Sequence, residues 1–62
     1  MKTLQEKKEL INDFIDSKPE NQFSTGLFFR SVGNKYVHYY SIWDQTTEEK
    51  MDIDEFIYNY IH

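Results

Sequence analysis

Apolar side chains recur with the spacing of an α-helix at the start of the chain, and this pattern predicts a helix over residues 2–17. The apolar positions on its core-facing side are Leu4, Ile11, Phe14 and Ile15, with Leu10 beside them. Thr3 and Glu6 have the spacing of a capping box, in which side chains satisfy the unpaired N–H groups of the first turn. The helix ends before Pro19, because proline disfavours the α conformation in the preceding residue. Residues 20–21 are then predicted to be a loop.

From residue 23 onward the composition changes to β-branched and aromatic side chains, which indicates strands. Gly33 and Asn34 interrupt this stretch with a pair of residues suited to a two-residue hairpin turn. The strands are therefore predicted at about residues 25–32 and 35–43. This turn pairs Val32 with Lys35, Arg30 with Val37, Phe29 with His38, Phe28 with Tyr39, and Leu27 with Tyr40.

A second helical stripe closes the sequence, and it predicts a helix over residues 53–61. Its apolar positions are Ile53, Phe56, Ile57, Tyr60 and Ile61. Asp52 and Glu55 have the spacing of another capping box at its start. Met51 lies off the stripe, which favours a turn over residues 44–47 and a short third strand over residues 48–51. The alternative is a longer helix that begins at Thr46.

These elements predict an α+β fold of order α-β-β-β-α, with an antiparallel three-stranded meander sheet and two helices packed on one face. The alternative reading of the third strand gives α-β-β-α with a longer C-terminal helix. With 62 residues the chain forms one domain, residues 1–62, and has room for one core. Cysteine is absent, so packing or a partner must supply the stability that disulfides give other small domains.

The predicted register leaves one sheet face without helices to cover it. The face turned to the helices carries Leu27, Phe29, Tyr36, Tyr40, Ile42 and Met51. The uncovered face carries Phe28, Arg30, Val32, Lys35, Val37, Tyr39, Trp43 and Lys50. Exposed aromatic patches are unusual on monomers, and Tyr, Trp and Arg are enriched at binding hot spots. The candidate partner-binding residues are therefore Phe28, Arg30, Lys35, Val37, Tyr39 and Trp43.

Catalytic, cofactor and metal sites lack support in the sequence. No Ser or Cys in the sequence has the signature of a nucleophile, and no Asp lies near His38 in sequence, which indicates a structural histidine. Gly26 and Gly33 are the only glycines and do not form a phosphate-binding loop. The acidic residues near Asp52 are explained as helix caps and solvated charges. We therefore expect a protein that is not an enzyme, with no cofactor and no small-molecule substrate.

Charge is distributed unevenly along a chain whose net charge is −4. Residues 23–43 carry Arg30 and Lys35 and no acid, whereas residues 44–62 carry six acids against Lys50. The first ten residues have no apolar core like that of a signal peptide, and no apolar run is long enough to cross a bilayer. We therefore expect a cytoplasmic protein without membrane contact.

Three binding functions are compatible with this pattern. The first is a protein-binding module, an inhibitor, adaptor or regulatory protein of the kind found in phages and other mobile elements, whose aromatic sheet face binds another protein or a second copy. The second is single-stranded nucleic-acid binding by the same face, where aromatic rings stack on bases, although the acidic net charge opposes it. The third is an acidic inhibitor that imitates DNA with residues 44–62.

Overall fold

The first helix begins where the capping box predicts. The structure, a computed structural model, describes residues 2–61. In it α1 comprises Leu4–Asp16, preceded by Thr3 as the N-cap. The Thr3 hydroxyl accepts a hydrogen bond from the Glu6 N–H at 3.2 Å, and Glu6 Oε1 accepts one from the Thr3 N–H at 3.0 Å. The capping box is confirmed, and the bond from the Thr3 backbone is the main reason that the pKa of the Glu6 carboxyl lies below its ordinary value.

A short strand that the sequence pattern did not predict follows α1. After one turn of 3₁₀ helix, Pro19–Asn21, the chain enters β1, Gln22–Ser24. A two-residue turn at Thr25 and Gly26 then leads back along it. Gly26 has a φ of 76°, in the left-handed region that only glycine adopts without strain. The strand predicted over residues 25–32 therefore starts later, at Leu27. The turn that contains Gly26 separates this strand from β1.

Three longer strands complete a four-stranded antiparallel sheet. They are β2, Leu27–Val32, β3, Tyr36–Ser41, and β4, Asp44–Asp52, and the spatial order is β1-β2-β3-β4. The α+β class is confirmed, while the count of three strands is wrong by one. Since residues 44–52 form a strand, the alternative of a longer C-terminal helix is also wrong.

The C-terminal helix starts at the predicted residue. It comprises α2, Ile53–Phe56, and a π-helical continuation, Ile57–Ile61. The Asp52 carboxylate caps it by accepting hydrogen bonds from the N–H groups of Asp54 at 2.8 Å and Glu55 at 3.4 Å. The stripe of apolar residues that predicted the helix faces the core, since Ile53 and Phe56 are buried.

One core lies between a single face of the sheet and the two helices. Its buried members are Ile11, Ile15, Phe23, Val37, Ile53 and Phe56. Phe23, from the short strand β1, makes edge-to-face contacts with Tyr39, Phe56 and Tyr60, with ring centroids 5.0–5.6 Å apart. Interlocked aromatic rings of this kind bury large areas, which is how a domain of this size obtains a core without disulfides.

The register of the β2–β3 hairpin differs from the predicted one in two ways. The Gly33 N–H donates to the Tyr36 carbonyl at 2.9 Å, so the turn is centred one residue later than expected. Val32 consequently pairs with Val37 instead of Lys35. A bulge at Arg30 then shifts the pairing back by one residue, so that Phe29 lies opposite Tyr39 and not opposite the predicted His38.

The bulge exchanges the faces of β3 relative to the prediction. Val37 is fully buried and Tyr39 packs against the core, so their expected position on the uncovered face is wrong. Val32 also packs against the core, whereas Tyr36 and Tyr40 lie on the uncovered side. The physical reason is the alternation of β3: one row contains Val37 and Tyr39, and the other contains His38, which is costlier to bury.

Candidate functional site

The sheet face that points away from the helices, here called the outer face, is organised around an aromatic pair. Phe28 on β2 and Tyr40 on β3 pair across the strands, and their rings stack with centroids 5.5 Å apart. The guanidinium of Arg30 lies 5.0 Å from the centre of the Tyr40 ring. Because Arg30 is the residue in the bulge, this local irregularity directs its side chain over the neighbouring strand.

Charged side chains cover the remainder of the outer face. Glu48 on β4 contacts two basic groups, Arg30 Nε at 3.3 Å and His38 Nδ1 at 3.5 Å. The Lys50 ammonium lies 4.6 Å from the centre of the Tyr36 ring. Cations therefore occupy positions against both tyrosine rings, and the contacts on the outer face form two groups, one around Arg30 and one between Lys50 and Tyr36.

The most exposed apolar surface is at one end of the sheet, in the turn between β3 and β4. Ile42 and Trp43 form this turn, here called the tip, and they are 49% and 81% exposed. The Ile42 N–H donates to the Gly26 carbonyl at 2.8 Å, which ties the tip to the β1–β2 turn. A Cβ atom placed on Gly26 would lie 2.5 Å from Cζ3 of the Trp43 ring. The absence of a side chain at Gly26 therefore provides the seat on which the indole rests.

An aspartate loop stabilises the polar side of the tip. Asp44 Oδ1 accepts hydrogen bonds from the Thr46 hydroxyl at 2.9 Å, the Thr46 N–H at 3.3 Å and the Thr47 N–H at 3.2 Å. Hydrogen bonding from the threonines, first the Thr47 side chain and then that of Thr46, holds the pKa of the Asp44 carboxyl below its ordinary value. Tyr39 pairs with Glu49 and Ser41 pairs with Asp44, so β4 has three more residues than β3 between these two pairs. The hydrogen bonds to Asp44 hold these extra residues in a loop.

The structure separates the six candidate partner-binding residues into three groups. Phe28 and Arg30 lie on the outer face as predicted, and Trp43 lies at the tip beside it. Lys35 lies in the β2–β3 turn, at the opposite end of β3 from the tip. The last two, Val37 and Tyr39, belong to the core side and are withdrawn from the candidate surface.

Sequence reasoning missed three contributors to this surface. The sequence pattern places Ile42 and Tyr40 on the helix-covered face and Gly26 inside a strand. A useful signal was present, because an isolated glycine in a strand pattern often marks a turn or a close approach of another group. Its close neighbour is the Trp43 ring, which the linear sequence places seventeen positions away.

The remaining features of the described residues add no chemical site. A cleft of about 180 Å³ is lined by Leu4, Lys7, Asn34, Lys35, Asp52, Ile53 and Asp54. It is smaller than ligand pockets, which occupy roughly 300 Å³ or more, and Lys7 within it is already bound to Asp54 at 2.7 Å. Within residues 2–61 there is no group of three or more His, Cys, Asp or Glu side chains placed to hold a metal ion. No helix in that same range is long and apolar enough to cross a membrane.

Comparisons with known proteins leave the tip and the outer face as the basis for assigning a function. No protein family model, no curated protein and no solved structure matches this chain.

Proposed function

We propose that this chain is a small, non-enzymatic protein-binding module, an inhibitor, adaptor or regulatory protein that contacts its partner through the tip and the adjoining outer face. The observation that carries the proposal is that the indole of Trp43 rests against Gly26 and is nevertheless largely exposed. Each Å² of apolar area that stays exposed to water costs about 25 cal/mol of free energy relative to a buried position. Burial against a partner recovers that free energy.

The surroundings of the Trp43 ring favour a role in binding over an exposed position without function. Tryptophan is among the residues most enriched at interface hot spots. A ring that is already ordered before binding also loses less entropy when it binds. The hydrogen bond from Ile42 to Gly26 fixes the backbone before the indole, and Gly26 lies directly beneath the ring. The partner that suits this surface offers an apolar pocket for the ring and polar groups facing the outer face.

Single-stranded nucleic acid fits the same surface less well. Base stacking requires free aromatic faces, but Arg30 lies over Tyr40 and Lys50 lies over Tyr36. Binding to phosphates requires uncommitted cations, and Arg30 already contacts Glu48. The net charge of −4 adds repulsion from a nucleic-acid backbone.

Imitation of DNA is also less well supported, because most acids after residue 43 contact groups of this chain. Asp44 binds the threonines of its own loop, and Glu48 contacts Arg30 and His38. Asp52 caps the C-terminal helix, and Asp54 binds Lys7. Their positions are explained by the fold, so they do not form a row of charges reserved for a partner.

Affinity capture with a matched pair of variants tests the proposal. The tagged chain, its Trp43→Ala variant and a Tyr58→Ala control are used to capture proteins from an extract of the producing cells. Tyr58 is 71% exposed on the C-terminal helix, so the control removes an exposed aromatic ring from a different element. We expect one stoichiometric partner with the parent chain and the control, and at least a tenfold loss with Trp43→Ala, since a hot-spot truncation costs about 2 kcal/mol or more.

Sedimentation of the isolated chain covers the case in which the partner is a second copy. A dimer that dissociates on the Trp43→Ala change supports the same surface. Equal capture by Trp43→Ala and the parent chain contradicts the tip as the binding site. A monomeric chain that captures no protein contradicts protein binding itself.

A further inference from the structure

The edge of the sheet that β4 forms is long, regular over its second half and open to solvent. Every residue of β4 is exposed except Met51, which is half-buried. From Glu49 to Asp52 the strand pairs residue for residue with β3, without a bulge. An edge of this kind presents unpaired N–H and C=O groups to which another strand can add.

The hydrogen bonds on the inner side identify which backbone groups are open. The Ile53 N–H donates to the Lys35 carbonyl at 3.2 Å. Because backbone groups of successive residues point to opposite sides of a strand, Met51 and Glu49 also point toward β3. The N–H and C=O groups of Lys50 and Asp52, and those of Glu48 at the start of the regular stretch, point to solvent.

Charge determines which strand this edge accepts. Glu48 and Asp52 already contact groups of this chain. The remaining acid of the regular stretch is Glu49, which is exposed. If two copies paired antiparallel so that Glu48 faced Lys50, Glu49 of one would lie directly opposite Glu49 of the other. Like charges directly opposite each other destabilise a strand pair. The same carboxylate attracts a strand with a basic residue at that position.

We propose that the β4 edge binds an extended, basic segment of the partner, which adds to the sheet as a fifth strand. In an antiparallel arrangement a basic residue lies opposite Glu49 and an apolar residue two positions earlier lies opposite Met51. The tip immediately precedes β4, so one partner reaches both the edge and Trp43. This inference rests on the proposed function and names the chemistry of its partner.

A synthetic peptide of defined sequence tests the edge directly. The probe is the capped heptapeptide Thr-Thr-Val-Thr-Lys-Thr-Thr, and its control carries Glu in place of Lys. Titration at millimolar concentration is followed by amide NMR of the full chain. We expect saturating shifts and slower hydrogen exchange at the amides of Glu48, Lys50 and Asp52, with the Glu peptide binding roughly three- to tenfold more weakly.

Two pairs of measurements separate strand addition from simple charge attraction. In the Glu49→Lys variant the preference should reverse, so that the Glu peptide binds more tightly. Lys50→Pro removes an outward N–H that the β3 pairing does not use, so the fold should persist while the shifts are lost. Lys50→Ala removes the same charge but keeps the N–H, and it should bind like the parent chain.

The outcomes distinguish this inference from the proposed function. Absence of shifts at the edge amides, an unchanged preference in Glu49→Lys, or equal binding by Lys50→Pro and Lys50→Ala overturns strand addition. If Trp43→Ala nevertheless loses its captured partner, the edge proposal fails and the tip survives. If Trp43→Ala captures normally, the proposed function fails whatever the peptide does.

Discussion

At the scale of single residues, the central feature is a glycine that lets a tryptophan rest on the sheet while most of its surface stays exposed. Gly26 is buried beneath the Trp43 ring, although Trp43 itself is 81% exposed. Gly26 also adopts a left-handed φ that other residues enter only with strain. The exposed ring therefore depends on two properties of one residue, its backbone freedom and its missing side chain.

Substitution of Gly26 by Ala should destabilise the fold by more than about 1 kcal/mol and displace the indole. Trp43 is the only tryptophan, so its fluorescence reports on the displacement while denaturant melts report on stability. Gly33→Ala is the control, because a Cβ there would lie 3.7 Å from its nearest neighbours. Equal behaviour of the two variants would show that the ring does not rest on Gly26.

Tyr39 gives a prediction for alkaline pH. Burial, and then the negative charge of Glu49, raises the pKa of the Tyr39 hydroxyl above its ordinary value of 10.0. A raised pKa means that the fold favours the neutral phenol, so this contribution is complete below pH 10.0 and is lost as the pH rises further. In melts between about pH 9 and about pH 11, the parent chain should lose stability more steeply than Tyr39→Phe. Parallel profiles would contradict the assigned environment.

At the scale of elements, local signals predicted the helices and long-range packing determined the sheet. Thr3 and Asp52 mark helix starts because a cap satisfies N–H groups only a few residues away. The bulge at Arg30 has no comparable local signal. Phe29 and Val32 are three residues apart, so in a regular strand their side chains would point to opposite faces of the sheet. Both pack against the core, and the extra residue of the bulge between them allows this. The same step moved Val37 and Tyr39 away from the candidate surface.

Two phenylalanines on opposite sides of the sheet should respond differently to truncation. Phe56 is fully buried in contact with Phe14, Phe23 and Tyr60, so Phe56→Ala should cost about 3–5 kcal/mol. A small domain with about 5 kcal/mol of stability would then keep only about 0–2 kcal/mol, so the midpoint of its thermal transition should fall steeply. Phe28→Ala, on the outer face, should keep a cooperative thermal transition in circular dichroism. A cooperative transition of parent-like midpoint in Phe56→Ala would contradict the core.

At the scale of the whole molecule, the sheet has one face buried by helices and one face whose charged and aromatic groups contact each other. Two large exposed apolar side chains, Ile42 and Trp43, are adjacent at the tip, next to an open strand edge. The sequence alone predicted that Trp43 and Phe28 would be available to a partner. It could not predict that the tip is the exposed feature, because the contact between Gly26 and Trp43 arises only when the β1–β2 and β3–β4 turns meet.

Binding at the tip can be observed by amide hydrogen exchange of the chain with and without its captured partner. We predict that protection appears at residues 40–44 and extends along β4 to Asp52, because a partner there shields the turn and the open edge. The amides of the C-terminal helix should exchange at the same rate in both states. Protection confined to that helix, with the tip unchanged, would show that the partner binds elsewhere.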